Sequence, residues 1–288
     1  MSNQMQNKVV MVTGATNGIG LEAAKMLAAK GATIIGVGRN SQKCADAANQ
    51  IKTATGNPNV EFLVADLSLQ SEVRQVATEF KRKYNRLDVL LNNAGAYFAN
   101  RETNADGQEM TWALNHLNYF VLTDELLDVL KASAPARIVN VSSGAHAMVK
   151  RINFEDVEYQ QGYNGWAVYG QSKLANVMFT YELARRLAGT KVTANVLHPG
   201  FVATGFGLNN GGLLNFGMRV IQKIGAKRPE QGAATSVFLA SSADVAGLTG
   251  KYFSDSKETR SSAASYDVSA QQRLWALSAK MAGVQVVA

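Results

Sequence analysis

Short apolar, largely β-branched runs recur along the chain and alternate with longer segments in which apolar residues return at helical spacing. A short apolar run closed by glycine or polar turn residues reads as a buried strand, and a longer stretch with helical spacing reads as a helix. On that basis residues 8–13, 32–37, 60–65, 87–91, 137–141 and 192–197 are expected to be six strands, with a last short strand at 250–253. Helices are expected at 21–30, from just after Asn40 to about 54, from Asp66 to about 84, over 104–131, over 164–187, from Pro229 to about 241 and within 266–283. The alternation runs end to end without a repeat, a low-complexity tract or a Pro-rich linker. It predicts an α/β fold: a single-domain, Rossmann-type, doubly wound parallel sheet with helices on both faces.

Composition narrows the picture without changing it. The chain has 288 residues, 47% hydrophobic and 18% charged, which is ordinary for a globular protein. The net charge of +7 is spread along the chain, with one short basic clump at Lys81-Arg82-Lys83, so nucleic-acid binding is not expected. The single Cys44 excludes an internal disulfide and fits a reducing compartment, and the expected location is cytoplasmic. The three histidines, His116, His146 and His198, are dispersed, so no metal site is expected. No run of about 18 apolar residues suggests a membrane span, and the polar residues 1–7 lack a signal-peptide pattern. Peripheral membrane contact stays open.

Three local patterns carry chemistry. The first is Thr13-Gly14-Ala15-Thr16-Asn17-Gly18-Ile19-Gly20 between the first strand and first helix. Gly14 permits a tight turn, Gly18 close backbone approach, and Gly20 helix–strand packing. The helix start then offers free N–H groups to a pyrophosphate. The second is Arg39 at the end of the second strand, where an acidic residue would bind a ribose 2′-hydroxyl and an arginine accommodates a 2′-phosphate, which favours NADP(H). Asp66, after the third strand, can accept from an adenine amino group or cap the next helix. The small polar turn Asn92-Asn93-Ala94-Gly95 ends the fourth strand, where open α/β sheets bind ligands. Asn115 falls within an expected helix. There it marks either a local distortion serving a site or a solvent-facing residue.

The third pattern is Tyr169-Gly170-Gln171-Ser172-Lys173. Four residues apart on a helix places the phenol and the ammonium on one face, one turn apart. A nearby ammonium favours the phenolate, so the pair suits proton transfer in carbonyl or alcohol chemistry. The plain alternative is a surface Tyr and Lys on an amphipathic helix. Residues 205–225 are rich in glycine and large apolar side chains, and suggest a lid over an apolar ligand or a short helix packed on the body.

Taken together, Thr13–Gly20, Asp66-Leu67, Asn92–Gly95, Asn115, Ser143, Tyr169–Lys173 and Pro199–Thr204 occur in an order that resembles the short-chain dehydrogenase/reductase family over nearly the whole chain. The segments Ala113–Leu117, Arg137–Ser143, Ser172–Asn176, Leu183–Leu187, His198–Gly200 and Gly250–Asp255 are similar to its retinol dehydrogenase-like branch, as is the long interval from Ser143 to Tyr169. Many animal members of that branch carry an apolar N-terminal anchor, which is not seen here.

The resemblance implies an NADP(H)-dependent oxidoreductase that moves a hydride between nicotinamide and a lipophilic aldehyde, ketone or matching alcohol. It implies Tyr169 as general acid/base, Lys173 as its pKa-lowering partner and ribose ligand, and Ser143 (rather than its neighbour Ser142) as holder of the substrate oxygen. Asn115 would hold a water of the proton relay. The implied cofactor contacts are Thr13, Gly14, Asn17, Gly18, Ile19, Gly20, Arg39, Asn40, Asp66, Leu67, Asn93, Ala94, Gly95, Pro199, Gly200, Val202 and Thr204, with Tyr169 and Lys173. The expected arrangement is a cofactor half at about 8–142, a catalytic and substrate half at about 143–288, and a homo-oligomeric assembly. An NADP(H)-sensing protein and a double-bond reductase are the alternatives on the same scaffold.

Overall fold

The computed structural model describes residues 4–202 and 227–284, so the expected lid at 205–225 and Thr204 lie outside the described residues. Eight strands form one sheet in the order β3-β2-β1-β4-β5-β6-β7-β8. The strands are β1 Val9–Thr13, β2 Thr33–Gly38, β3 Val60–Val64, β4 Val89–Asn92, β5 Ala136–Val141, β6 Val192–His198, β7 Tyr252–Ser254 and β8 Lys257–Thr259. All neighbours pair in parallel except β7 and β8, a hairpin absent from the sequence expectation. Its three exposed residues, Lys257-Glu258-Thr259, carry no apolar signal that could announce a strand.

The central strands read as unbroken apolar runs because both faces are covered. Alternate residues of β1 point to opposite layers. Val10 and Val12 pack with Leu21 and Leu27 of α1 (Gly18–Ala29), Ile51 of α2 (Ser41–Thr55) and Val237 of the helix Pro229–Ser241. Met11 faces the other layer, with Phe80 of α3 (Gln70–Lys83) and Phe179 of the helix Gly165–Arg186. Each fully buried aliphatic or aromatic side chain of this kind stabilises the fold by about 1.5–3 kcal/mol, which is why both layers hold the sheet firmly.

The expected helix at 104–131 is not continuous. It comprises α4 Met110–Trp112, a π-helical turn Ala113–Leu117, α5 Asn118–Glu125 and α6 Leu127–Ala132. Glu109 starts it by accepting from Thr111 N–H (2.9 Å) and Trp112 N–H (2.6 Å). The remaining α-helices among the described residues are α7 Gly165–Arg186, α8 Pro229–Ser241 and α9 Val268–Ala282. Strand order turns in opposite directions from β1 and from β4, so the crevice for a ligand lies at their C-terminal ends.

Candidate active site

The site begins at the end of β1. Thr13 is fully buried and its hydroxyl accepts from Asn93 N–H (2.8 Å) and Ala94 N–H (2.9 Å). The Asn93 amide donates to the Thr13 carbonyl (2.8 Å), so the turns after β1 and β4 are stitched together. Thr13 thus shapes the floor and does not line the cleft. Gly14 has φ +65°, a backbone region that glycine enters without strain, and a Cβ there would come within 3.0 Å of Ala94 Cα. Gly20 sits inside α1, which starts three residues earlier than expected, and a Cβ on it would meet the Gly14 carbonyl at 2.3 Å.

These residues suit a dinucleotide. The N-terminus of α1 has no side-chain cap and no acidic residue in its first turn, so its free N–H groups face the cleft beside Asn17, Gly18 and Ile19. The cleft encloses about 680 Å³ and extends from Arg39 and Asp66 at one end, past Leu67 and Ala94, to Tyr169 and Val202 at the other. Arg39 is exposed and forms no ion pair among the described residues. Asn40 departs from expectation: its side chain accepts from Lys43 N–H (2.9 Å) and caps α2, outside the cleft. Asp66 does not cap α3, whose cap position is Leu69. Its carboxylate accepts instead from Ser68 N–H (2.9 Å) and Ser68 hydroxyl (2.8 Å), in a tight turn at the cleft wall.

Asn115 occupies the π-helical turn and is fully buried, which resolves its two readings in favour of a local distortion. Its amide pairs with the Ala96 backbone in both directions (2.8 and 2.9 Å) and donates to Ser172 (3.1 Å). Its backbone carbonyl accepts from Asn176 (2.8 Å). It stands behind the cleft wall, next to Gly95, where a Cβ would meet Asn115 Oδ1 at 3.0 Å and Lys173 Nζ at 3.2 Å.

Helix α7 carries the central pair. Asn164 caps its start by accepting from Ala167 N–H (3.0 Å), and Tyr169 and Lys173 follow on one buried face. Lys173 Nζ donates to the Val141 carbonyl (3.2 Å) and lies 5.8 Å from the Tyr169 ring centroid. Ser143 hydrogen-bonds the Tyr169 hydroxyl, which lowers its pKa against a larger rise from burial. Ser142 also lines the cleft, but its hydroxyl is engaged: it donates to the Lys173 carbonyl (2.8 Å) and secures α7 to β5. Burial pushes Tyr169 up to about 12 and Lys173 down to about 7. The expected lowering of the phenol by an ammonium is therefore not what the site shows. Exclusion of water penalises both charged forms and is the largest cause of both shifts.

The sequence expectation placed the substrate side in the half from about 143 to 288 and named no residue for its wall. Here Phe98 and Ala145 line the cleft, and Trp166 stands one helical turn before Tyr169, its ring 4.6 Å from Tyr97 and edge-on to Tyr169 at 6.3 Å. The spacing of 166 and 169 on a helix was the available signal. Leu114 and His198 also line the cleft, as do Pro199 and Gly200, and Phe201 stands exposed at its mouth. Among the described residues no helix is long and apolar enough to cross a membrane.

Comparison with known proteins follows the same outline. A family model described as short chain dehydrogenase matches residues 8–210. Retinol dehydrogenase 13 of Homo sapiens is 41% identical over 283 residues, covering 96% of this chain and 85% of that protein. Polyprenol dehydrogenase of Homo sapiens is 40% identical over 284 residues, covering 96% and 86%. Among solved structures, the Pseudomonas aeruginosa RhlG/NADP active-site complex superposes with a TM-score of 0.69 at 27% identity, covering 88% of this chain and 96% of that one.

Proposed function

The chain belongs to the short-chain dehydrogenase family, on its retinol dehydrogenase-like branch, and is a hydride-transfer oxidoreductase; from that premise we propose that it uses NADP(H) to reduce a lipophilic aldehyde or ketone, with Tyr169 as the proton donor. The observation that carries this reading is the meeting of Tyr169, Ser143 and Lys173 at one end of the cleft, walled by Trp166 and Phe98. The apolar wall suits a substrate of the kind named in retinol and polyprenol dehydrogenases. Arg39, exposed on the cleft and without an ion pair among the described residues, supports the phosphorylated cofactor, as does the NADP named in the similar solved complex.

A bound nicotinamide supplies the hydride. The protein supplies position and protons. Gly14, Gly18 and the α1 N-terminus would hold the pyrophosphate, Arg39 the 2′-phosphate and Val202 the nicotinamide end. Ser143 donates to the substrate oxygen and sets it beside the Tyr169 hydroxyl. Tyr169, held protonated by burial, gives its proton to that oxygen as negative charge develops there. Lys173, which gains and loses its proton near neutrality, is the adjacent source for its return, with the Asn115 turn behind it. The protonated phenol is the form from which reduction starts.

The test is consumption of NADPH, against NADH, with retinal, long-chain aldehydes, aromatic ketones and steroids. Turnover of one apolar class with NADPH supports the reading. Faster turnover with NADH, or a preference for small polar carbonyls, contradicts it.

A further inference from the structure

The peptide group joining Ser143 to Gly144 is held at both ends by histidine. His146 Nδ1 lies 2.7 Å from the Ser143 carbonyl, and His198 Nδ1 accepts from Gly144 N–H at 2.9 Å. Both tautomers follow from their partners. Ser262 N–H donates to His146 Nε2 (3.0 Å), so that nitrogen is bare and the ring proton sits on Nδ1, which donates to Ser143. His198 receives a backbone N–H at Nδ1, so its proton sits on Nε2. The same imidazole atom thus donates in one residue and accepts in the other, across a single peptide plane.

The surroundings fix both rings. His146 is buried, and its ring packs against Tyr252 of β7 with centroids 5.1 Å apart. His198 ends β6 and lines the cleft. A Cβ on Gly144 would come within 3.3 Å of His198 Nε2, so glycine is what lets the imidazole pack this close. Ser143 itself is extended, with φ −154° and ψ 156°. That ψ describes rotation into the held peptide, so holding the peptide holds the Ser143 backbone, while Ala145 N–H, which donates to the Ser143 hydroxyl oxygen (3.2 Å), bears on the hydroxyl itself.

We propose that His146 and His198 are positioning residues that grip the Ser143–Gly144 peptide from its two ends and so aim the Ser143 hydroxyl at Tyr169 and the substrate oxygen. His146 also carries the grip outward to Ser262, in the segment between β8 and α9, so the C-terminal part of the chain bears on the site. The functional half of this inference rests on the role given to Ser143 above, and the structural half does not.

The experiment has two readouts. Imidazole ¹⁵N spectra, assigned with His146→Asn and His198→Asn, are expected to show a bare Nε2 in His146 and a bare Nδ1 in His198. The opposite tautomer in either residue overturns the grip whatever the enzyme does. The second readout is turnover of retinal with NADPH. His146→Ala and His198→Ala are each expected to lower kcat by about 10-fold or more, since misplacing a reacting group by about 1 Å can lower turnover about 100-fold. NADPH affinity, read by its own fluorescence, is expected to stay within about twofold. The Asn variants place an amide nitrogen or oxygen where Nδ1 stood, and are expected to restore most of the loss. Because both rings hold one peptide, the double Ala variant is expected to lose little more than the worse single. Unchanged kcat in the Ala variants, no rescue by Asn, or losses that multiply would overturn the proposal. Full turnover by Ser143→Ala, with the expected tautomers intact, would sink the role of Ser143 and leave the grip standing.

Discussion

The two ends of the sheet treat buried charge in opposite ways. At the N-terminal ends of the strands, Asp88 is 3% exposed and is surrounded by donors: Arg86 through two nitrogens (both 2.7 Å), Lys8 (2.9 Å) and Val9 N–H (2.9 Å). Burial raises its pKa, but those hydrogen bonds outweigh it and hold the carboxyl below its ordinary value. At the C-terminal ends, Lys173 is as deeply buried, yet among the described residues no carboxylate pairs with it, and its pKa falls to about 7. One end satisfies its charge from within the chain and is built for stability. The other leaves a lysine and a phenol with pKa values pushed far from their usual ones, a pattern typical of sites where protons are moved.

The largest expected effect comes from Tyr169→Phe. It should lower turnover by about 10³-fold while leaving the melting temperature and NADPH affinity nearly unchanged. Lys173→Met should lower turnover by about 10²-fold. In the wild type, reduction should decline as pH rises through about 7, because the ammonium is the low-pH form and is lost there. A Lys173→Met enzyme should lack that decline, and a pH profile of kcat for both proteins checks it. At the other end of the cleft, Arg39→Asp should weaken NADPH by about 30-fold, some 2 kcal/mol, and NADH hardly at all. Equal weakening of both cofactors would remove the 2′-phosphate contact.

Effects at the N-terminal ends of the strands should appear in stability alone. Asp88→Asn should lower stability by about 2 kcal/mol, as for hydrogen bonds to a charged group, with kcat unchanged. The pKa of Asp88 is depressed in the folded state. Its contribution is therefore complete above the unfolded value of about 3.9 and is lost as pH falls through the folded one. Chemical denaturation of wild type and variant should converge only in that acidic window. The smallest effect is that of Asn40→Ala, about 1 kcal/mol from loss of the α2 cap, with the NADPH-to-NADH preference intact. A changed preference would return Asn40 to the cofactor site.

Much of this was readable beforehand because it rests on local rules. Continuous apolar runs announced the parallel strands, and the glycines after β1 announced the turn and the helix start. The spacing of Tyr169 and Lys173 placed them on one face of α7. Other features depended on distant partners. The helix through Asn115 widens into a π-turn fitted against Ala96 and Asn176, which no local rule announces, whereas the turn of Asn40 to Lys43 and of Asp66 to Ser68 follows local cap and turn rules that the cofactor assignment passed over. The direction of the pKa shifts also lay outside the sequence, since four-residue spacing gives proximity but not the exclusion of water that decides which charged form survives.

The most direct test follows the hydride itself. Wild type and Tyr169→Phe are given NADPH deuterated at nicotinamide C4 together with retinal, and the products are weighed by mass spectrometry. Deuterium on the carbinol carbon in the wild type, with almost none formed by Tyr169→Phe despite undiminished NADPH binding, is the predicted result. Equal labelling by both proteins, or NADPH bound tightly by the wild type with no transfer to any carbonyl of the panel, would contradict the account.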